Sequence, residues 1–168
     1  MSPWGLYAFD LDGTLLVRDG TLPPEVERFV RGLAGRARVT LATGRSLASA
    51  RPYAERLRVN TPAILYHGAV IWDLSDDRAL KERRIPPKAA RHALAVCKNF
   101  SCDVQLYRGV GDPIVYVERL SPPVLEFARK ESLPVRKANL PKLAREGPLK
   151  LLIVGEPQVL PRLAEALR

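Results

Sequence analysis

The chain has 168 residues, 46% of them hydrophobic, and it carries 27 Lys and Arg against 18 Asp and Glu. This composition excludes a disordered chain and fits one soluble domain or a small protein of two parts. No apolar run approaches the roughly 20 residues that span a bilayer. The chain start at residues 1–4 lacks the basic segment and apolar core of a signal peptide. We therefore expect a cytoplasmic protein with no membrane partner.

The charges and the cysteines argue against two further classes of protein. The net charge is +9, but the basic residues are scattered and lack interleaved aromatic residues, so we expect no nucleic-acid partner. Cys97 and Cys102 have the spacing of neither a zinc knuckle nor a thioredoxin-like pair, and we expect both in the core. Abundant Arg and Pro with few Asn and Gln favour a thermophile source.

Residues 1–84 alternate between short apolar runs and helical stripes, a pattern typical of a parallel α/β sheet. Strands are expected at 5–9, 38–42 and 63–66, with a hairpin of 70–72 and 80–85. Helices are expected at 26–33, ending at Gly35, and at 47–57, capped by Ser46 and kinked by Pro52. Since parallel sheets bind ligands at the carboxyl ends of their strands, the residues expected at one edge are Asp10, Asp12, Thr43 and His67.

Residues 85–168 show a different, α+β pattern. A helix is expected over 89–100, then strands at 104–107 and 114–117, a helix at 122–130, a strand at 149–154 and a last helix at 160–167. We therefore expect a second structural unit that begins near residue 85.

Two carboxylates lie two residues apart, directly after the first strand, in Asp10-Leu11-Asp12-Gly13-Thr14. Such a pair suits a nucleophile with a general acid/base, or a divalent metal. An Asp-Gly turn with a capping Asp explains the same residues without chemistry. This motif alone leaves both interpretations open.

Thr43-Gly44-Arg45 follows the second strand and precedes a helix. A hydroxyl and backbone N–H groups at a helix start are suited to a phosphate oxygen. A plain strand-to-helix turn is the alternative, but it does not explain why this motif and the Asp pair end adjacent strands. Together the two motifs predict phosphoryl chemistry.

At this point the sequence resembles the haloacid dehalogenase (HAD) superfamily of phosphohydrolases, in its Cof-type (IIB) branch. The resemblance rests on residues 9–16 (FDLDGTLL), 41–45 (LATGR) and 66–71 (YHGAVI), where the family usually has Asn at the position of His67. It implies an α/β fold with a Rossmann-like parallel-sheet core. Residues 1–84 would form the N-terminal part of that core, and residues 85–168 an α+β cap that is incomplete.

The resemblance also implies a role for each site residue. Asp10 would be the nucleophile and Asp12 the general acid/base, with Mg²⁺ bound by the Asp10 carboxylate and the Asp12 backbone carbonyl. Thr43 and the N–H of Gly44 would hold the phosphate. Arg45 would either reach the phosphate or pair with a neighbouring carboxylate, and His67 would either contact substrate or cap its turn. The implied partner is a small phosphorylated metabolite such as a sugar phosphate.

Two further family motifs, a Lys and a Gly-Asp-x-x-Asn-Asp run, have no counterpart here, since Glu156 and Glu165 are the only acids after Lys150. We therefore expect the N-terminal portion of a longer enzyme, which itself need not be active. Its Leu6–Phe9 strand would be an exposed sheet edge that invites self-association.

Two rival interpretations stay open. In one, the chain is a compact capless phosphatase, in which Lys142 or Lys150 replaces the missing Lys and Glu156 the missing acids. In the other, it is a non-catalytic phosphate-binding or interaction module. Two carboxylates facing a phosphate count against the second.

Overall fold

The computed structural model describes residues 5–168, which form two compact units, one ending at Arg83 and the other beginning at Arg84. Residues 1–4, part of the segment that was searched for a signal peptide, lie outside the described residues. Within 5–168, every helix is too short or too polar to cross a membrane. Each unit contains its own β-strands and α-helices.

The first unit is built on parallel strands with helical connections. Its elements are β1 (Leu6–Phe9), α1 (Pro24–Ala34), β2 (Arg38–Leu41), α2 (Leu47–Arg56), β3 (Ala63–Leu65), β4 (Val70–Asp73) and β5 (Arg78–Glu82). β1 pairs with β2 in parallel, and a parallel bridge from Ala42 to Ile64 connects the end of β2 to β3. The carboxyl ends of β1, β2 and β3 therefore lie at the same edge, as predicted. β3, β4 and β5 form an antiparallel sheet, which contains the predicted hairpin.

Local sequence signals explain where the helices of this unit begin and end. Pro24 occupies the first turn of α1, where its missing N–H costs nothing, and Gly35 caps the carboxyl end as predicted. The Ser46 hydroxyl accepts a hydrogen bond of 3.3 Å from the backbone N–H of Ser49, which confirms the predicted cap of α2. Pro52 lies inside α2.

The second unit is a mixed sheet with helices. Its elements are α3 (Pro87–Cys97), β6 (Cys102–Tyr107), β7 (Val115–Val117), α4 (Pro122–Lys130), β8 (Val135–Lys137), α5 (Leu140–Leu143), β9 (Lys150–Gly155) and α6 (Leu160–Ala166). The strand order is β8-β7-β6-β9, in which only β7 and β8 are parallel. A buried cluster packs α3 and α5 against β6 and β7 through Ala90, Leu94, Leu106, Tyr116, Leu140 and Ala144.

Several predicted boundaries were wrong, and two elements were not predicted. The strand expected at 80–85 lies at Arg78–Glu82, and the helix expected to reach residue 100 ends at Cys97. β8 escaped prediction because two of its three residues, Arg136 and Lys137, are basic and exposed, a composition typical of edge strands. α5 has four residues and a Pro in its first turn, so it shows no helical stripe.

The position of β9 bears on the compact interpretation. That interpretation expects Glu156 near Asp10, whereas the fragment interpretation expects it in the cap. β9, which ends at Gly155, pairs with β6 in the second unit. Within residues 5–168, β1 has β2 as its one pairing partner. The first unit therefore has an open sheet edge, as the sequence predicted.

Candidate active site

The turn after β1 directs two carboxylates outward. Leu11 is fully buried, whereas Asp10 and Asp12 on either side of it are exposed. The Leu11 carbonyl accepts hydrogen bonds from the N–H groups of Leu15 and Leu16, and Gly13 has a φ of 77°. Few residues other than glycine adopt this left-handed backbone at low cost, so Gly13 permits the turn.

The loop after β2 is fixed to β3. The backbone N–H of Thr43 donates to the Ile64 carbonyl at 2.9 Å, and the buried Thr43 hydroxyl accepts from the N–H of Arg45 at 3.2 Å. The Ala42 N–H donates to the Phe9 carbonyl at 2.8 Å, which joins this loop to the residue preceding Asp10. The Thr43-Gly44 peptide therefore lies beside the end of β1 and just before α2.

Arg45 is the organising residue of the site. Its guanidinium donates through Nε and Nη2 to the two carboxylate oxygens of Asp12, at 2.8 and 2.9 Å. Its Nη1 donates to the Ser49 hydroxyl at 3.0 Å, and its guanidinium carbon lies 5.2 Å from the centroid of the Tyr53 ring. Of the two partners that the sequence left open for Arg45, the structure shows the neighbouring carboxylate.

His67 closes the site on the side of β3. The Tyr66 N–H donates to the Arg45 carbonyl at 3.0 Å, and the His67 N–H donates to the Thr43 carbonyl at 3.2 Å. Tyr66 and His67 both have a left-handed backbone, with φ of 51° and 55°. The imidazole packs so closely on Gly44 that a Cβ added to Gly44 would collide with the ring. Such strained backbone conformations cluster at functional sites.

The six predicted site residues therefore come together at one edge of the first unit's sheet. Their roles stay predictions. Sequence reasoning missed Ser49 and Tyr53, which hold Arg45. Ser49 and Tyr53 lie four residues apart in α2 and therefore on one helical face, and this spacing was the available signal.

The oxygen donors of this site fit part of a magnesium site. Within residues 5–168, no three His, Cys, Asp or Glu side chains form a group that could hold a metal. Both Asp12 carboxylate oxygens accept hydrogen bonds from Arg45, so the Asp10 carboxylate and the Asp12 backbone carbonyl are the remaining donors. Mg²⁺ usually keeps several waters and takes one or two carboxylates, so these two donors are compatible with it.

Comparison with known proteins identifies the family. A sequence profile of haloacid dehalogenase-like hydrolases matches residues 7–168. The chain therefore belongs to the haloacid dehalogenase-like hydrolase family, as its motifs predicted.

One curated protein and two solved structures illustrate what the chain is similar to. The chain is 29% identical over 112 residues to the pyridoxal phosphate phosphatase YbhA of Escherichia coli, a match that covers 66% of this chain and 40% of YbhA. A haloacid dehalogenase-like hydrolase from Bacteroides thetaiotaomicron superposes with a TM-score of 0.81 at 21% identity, covering 98% of this chain and 63% of that one. The subclass IIB sugar phosphatase BT4131 superposes with a TM-score of 0.80 at 14% identity, covering 98% of this chain and 64% of its own. The predicted fold class is thereby confirmed.

The chain spans less than half of the curated relative and under two thirds of these solved structures.

Proposed function

We propose that this chain carries the nucleophile and the phosphate-binding half of a phosphatase site that hydrolyses phosphomonoesters through an aspartyl phosphate. The observation that supports the proposal is the position of the exposed Asp10 and Asp12 carboxylates beside the Thr43-Gly44 loop. Asp10 is the nucleophile, since a carboxylate is ionised at neutral pH and needs no base to activate it.

In the first step, an oxygen of Asp10 attacks phosphorus and the bond from phosphorus to the ester oxygen breaks. The leaving oxygen takes a proton from the protonated Asp12 side chain. In the second step, water attacks the phosphorus of aspartyl phosphate and gives a proton to Asp12, which regenerates the Asp10 carboxylate and releases phosphate. The Thr43 hydroxyl and the Gly44 N–H hold the phosphate oxygens.

Arg45 positions Asp12 in this scheme. Its two parallel hydrogen bonds fix the Asp12 carboxylate before that side chain takes up the proton it later donates. Before Asp12 donates a proton, the protonated oxygen must leave its hydrogen bond with Arg45. The His67 ring lies on Gly44, and in this proposal it contacts the phosphate group held there.

Mg²⁺ is the proposed cofactor, held by the Asp10 carboxylate and the Asp12 backbone carbonyl. When bound, it would neutralise charge on the phosphoryl group and reduce its repulsion of Asp10. A small phosphorylated metabolite such as a sugar phosphate is the proposed substrate class, in a cytoplasmic protein. This class is supported by the names of two similar proteins, the pyridoxal phosphate phosphatase YbhA and the sugar phosphatase BT4131.

We further propose that the first unit self-associates. Leu6 on the open edge strand β1 is 54% exposed. It lines an apolar groove of about 670 Å³ together with Pro62, Ile64 and Ile71. Parallel sheets are ordinarily covered on both faces, and an uncovered edge next to an apolar groove favours association.

The experiment that tests the phosphatase proposal combines turnover and binding. Hydrolysis of p-nitrophenyl phosphate, pyridoxal phosphate and hexose phosphates is measured with and without Mg²⁺, for the chain and for its Asp10→Asn and Asp76→Asn variants. Asp76 lies in the β4–β5 turn and pairs with Arg78, so its variant controls for the loss of one exposed carboxylate. Metal-dependent turnover that disappears only in Asp10→Asn supports the proposal.

Titration with inorganic phosphate separates the alternatives. A folded chain that binds phosphate through Thr43 but hydrolyses none of the esters, whatever the metal, is either an incomplete site or the non-catalytic binding module, and it does not catalyse the reaction on its own. A folded chain that neither binds phosphate nor hydrolyses any of the esters contradicts the proposal for this chain.

A further inference from the structure

The two cysteines of the chain lie side by side in the second unit, outside the site described above. Cys97 is the last residue of α3, and Cys102 is the first residue of β6. The four residues between them are folded into a tight connection, in which the N–H of Phe100 donates to the Cys97 carbonyl at 3.1 Å and the N–H of Cys102 to the Phe100 carbonyl at 2.9 Å.

The Cys102 side chain turns back toward Cys97. Its thiol donates to the Cys97 carbonyl, with a distance of 3.6 Å from Sγ to oxygen. The pKa of the Cys97 thiol is raised to about 12, mainly by burial and in part by the charge of the nearby Cys102 and a hydrogen bond with it. The two thiols are therefore neighbours, and Cys97 is protonated at neutral pH.

The two thiols differ in access to solvent. Cys97 is buried, as the sequence predicted, whereas Cys102 is only half-buried. Both line a cavity of about 290 Å³, whose wall also carries Lys98, Phe100 and Arg119. Small oxidants therefore have a route to Cys102 through this cavity.

We propose that Cys97 and Cys102 form a redox-active dithiol, which peroxide converts into a disulfide that joins the end of α3 to the start of β6. The Cys102 thiolate attacks one oxygen of hydrogen peroxide, the oxygen–oxygen bond breaks, and the released hydroxide takes a proton to leave as water. Cys102 is then a sulfenic acid. The Cys97 sulfur attacks the Cys102 sulfur, the sulfur–oxygen bond breaks, and the hydroxide leaves with the Cys97 proton as a second water. Two electrons pass from the sulfur pair to peroxide.

A metal site is a weaker explanation of the pair. Structural zinc takes four ligands, and within residues 5–168 no group of three His, Cys, Asp or Glu side chains is placed to bind a metal. A purely structural role for both residues explains the burial of Cys97 but not the exposure of Cys102 on a cavity wall.

The test uses the reduced, folded chain and hydrogen peroxide. Because Lys98 lies between the cysteines, trypsin places them in separate peptides, 92–98 and 99–108, which a disulfide holds together. We expect both thiols to disappear at the same rate. The two peptides should be linked by a disulfide, with no oxygen atom added to their mass, and dithiothreitol should separate them. In Cys97→Ser, Cys102 should go on to sulfinic acid for lack of a resolving thiol. In Cys102→Ser, Cys97 should stay a free thiol under the same treatment.

Three outcomes would overturn the proposal. One is accumulation of sulfinic acid on Cys102 in the unmodified chain while Cys97 stays free, as in Cys97→Ser. Another is a disulfide between two chains in place of the link within one chain. The third is no reaction in the folded chain under conditions that oxidise the urea-unfolded chain. Circular dichroism of each variant before oxidation verifies that the comparison is between folded proteins.

Discussion

Arg45 holds Asp12 through two parallel hydrogen bonds of 2.8 and 2.9 Å, although the two residues lie 33 positions apart in the chain. The guanidinium is 2% exposed, whereas the Asp12 side chain is 42% exposed. Because of this difference in exposure, losing the ion pair costs Arg45 more than it costs Asp12. Arg45 is buried and needs a counter-charge, whereas Asp12 is solvated enough to tolerate losing one.

The asymmetry predicts that Asp12→Asn destabilises the fold more than Asp10→Asn. Asp12→Asn removes the charge that faces the buried guanidinium, and we expect the free energy of unfolding to fall by about 3 kcal/mol, the lower end of the range for a broken buried pair. Asp10 is exposed, and its substitution should cost less than about 0.5 kcal/mol. Urea unfolding of both variants measures the difference, and equal stabilities would contradict a structural role for the pair.

Gly44 and His67 give a second, coupled prediction. Gly44 does not have a left-handed φ, so alanine is compatible with its backbone, but the new Cβ would collide with the imidazole. We expect Gly44→Ala to cost about 1–3 kcal/mol through this overpacking. In a His67→Ala background the same change should cost less than about 0.5 kcal/mol, because the obstructing ring is gone. A double-mutant cycle by urea unfolding measures the coupling, and additive effects would show that the ring does not limit residue 44.

The parts of the site that depend on sequence-local signals were predictable. Asp10, Thr43 and His67 each follow a short apolar run, and the edge rule for parallel sheets then groups them. Ser46 was predictable as a cap because a hydroxyl before a helical stripe is a local signal. The fold class followed from the same alternation of strands and helices.

The parts that depend on long-range contacts were not predictable. The sequence left Arg45 with two partners, since choosing Asp12 requires knowing that the loops after β1 and β2 meet. β8 has too few apolar residues to show alternation, so only its pairing with β7 identifies it as a strand. The cytoplasmic location and the thermophile source stay predictions of composition.

The ion pair between α1 and α2 predicts a pH dependence of stability. Arg56 holds the pKa of Glu27 below its usual range of about 4.5, and Arg31 lowers it further. A lowered folded-state pKa means that this contribution to stability is complete above about pH 4.5 and is lost as the pH falls through the lower, folded-state value. We therefore expect the urea concentration at the unfolding midpoint to fall less steeply at acid pH in Glu27→Gln than in the unmodified chain. An equally steep fall in both would show that the pair contributes nothing to folding.

The open edge of β1 predicts concentration-dependent self-association that one substitution removes. Leu6 lies opposite Arg38 in the β1–β2 register, so Leu6→Glu adds a charge to the edge while placing it beside an opposite charge within the chain. We expect sedimentation velocity to show oligomers that grow with concentration in the unmodified chain and a monomer in Leu6→Glu.

Leu125→Glu is the matched control, because Leu125 is an exposed leucine of similar accessibility on α4 of the second unit, 46% against 54%. It should leave the association unchanged. An unmodified chain that is monomeric at all concentrations would contradict the proposal, and loss of association in both variants would show that general surface hydrophobicity, rather than the β1 edge, holds the copies together.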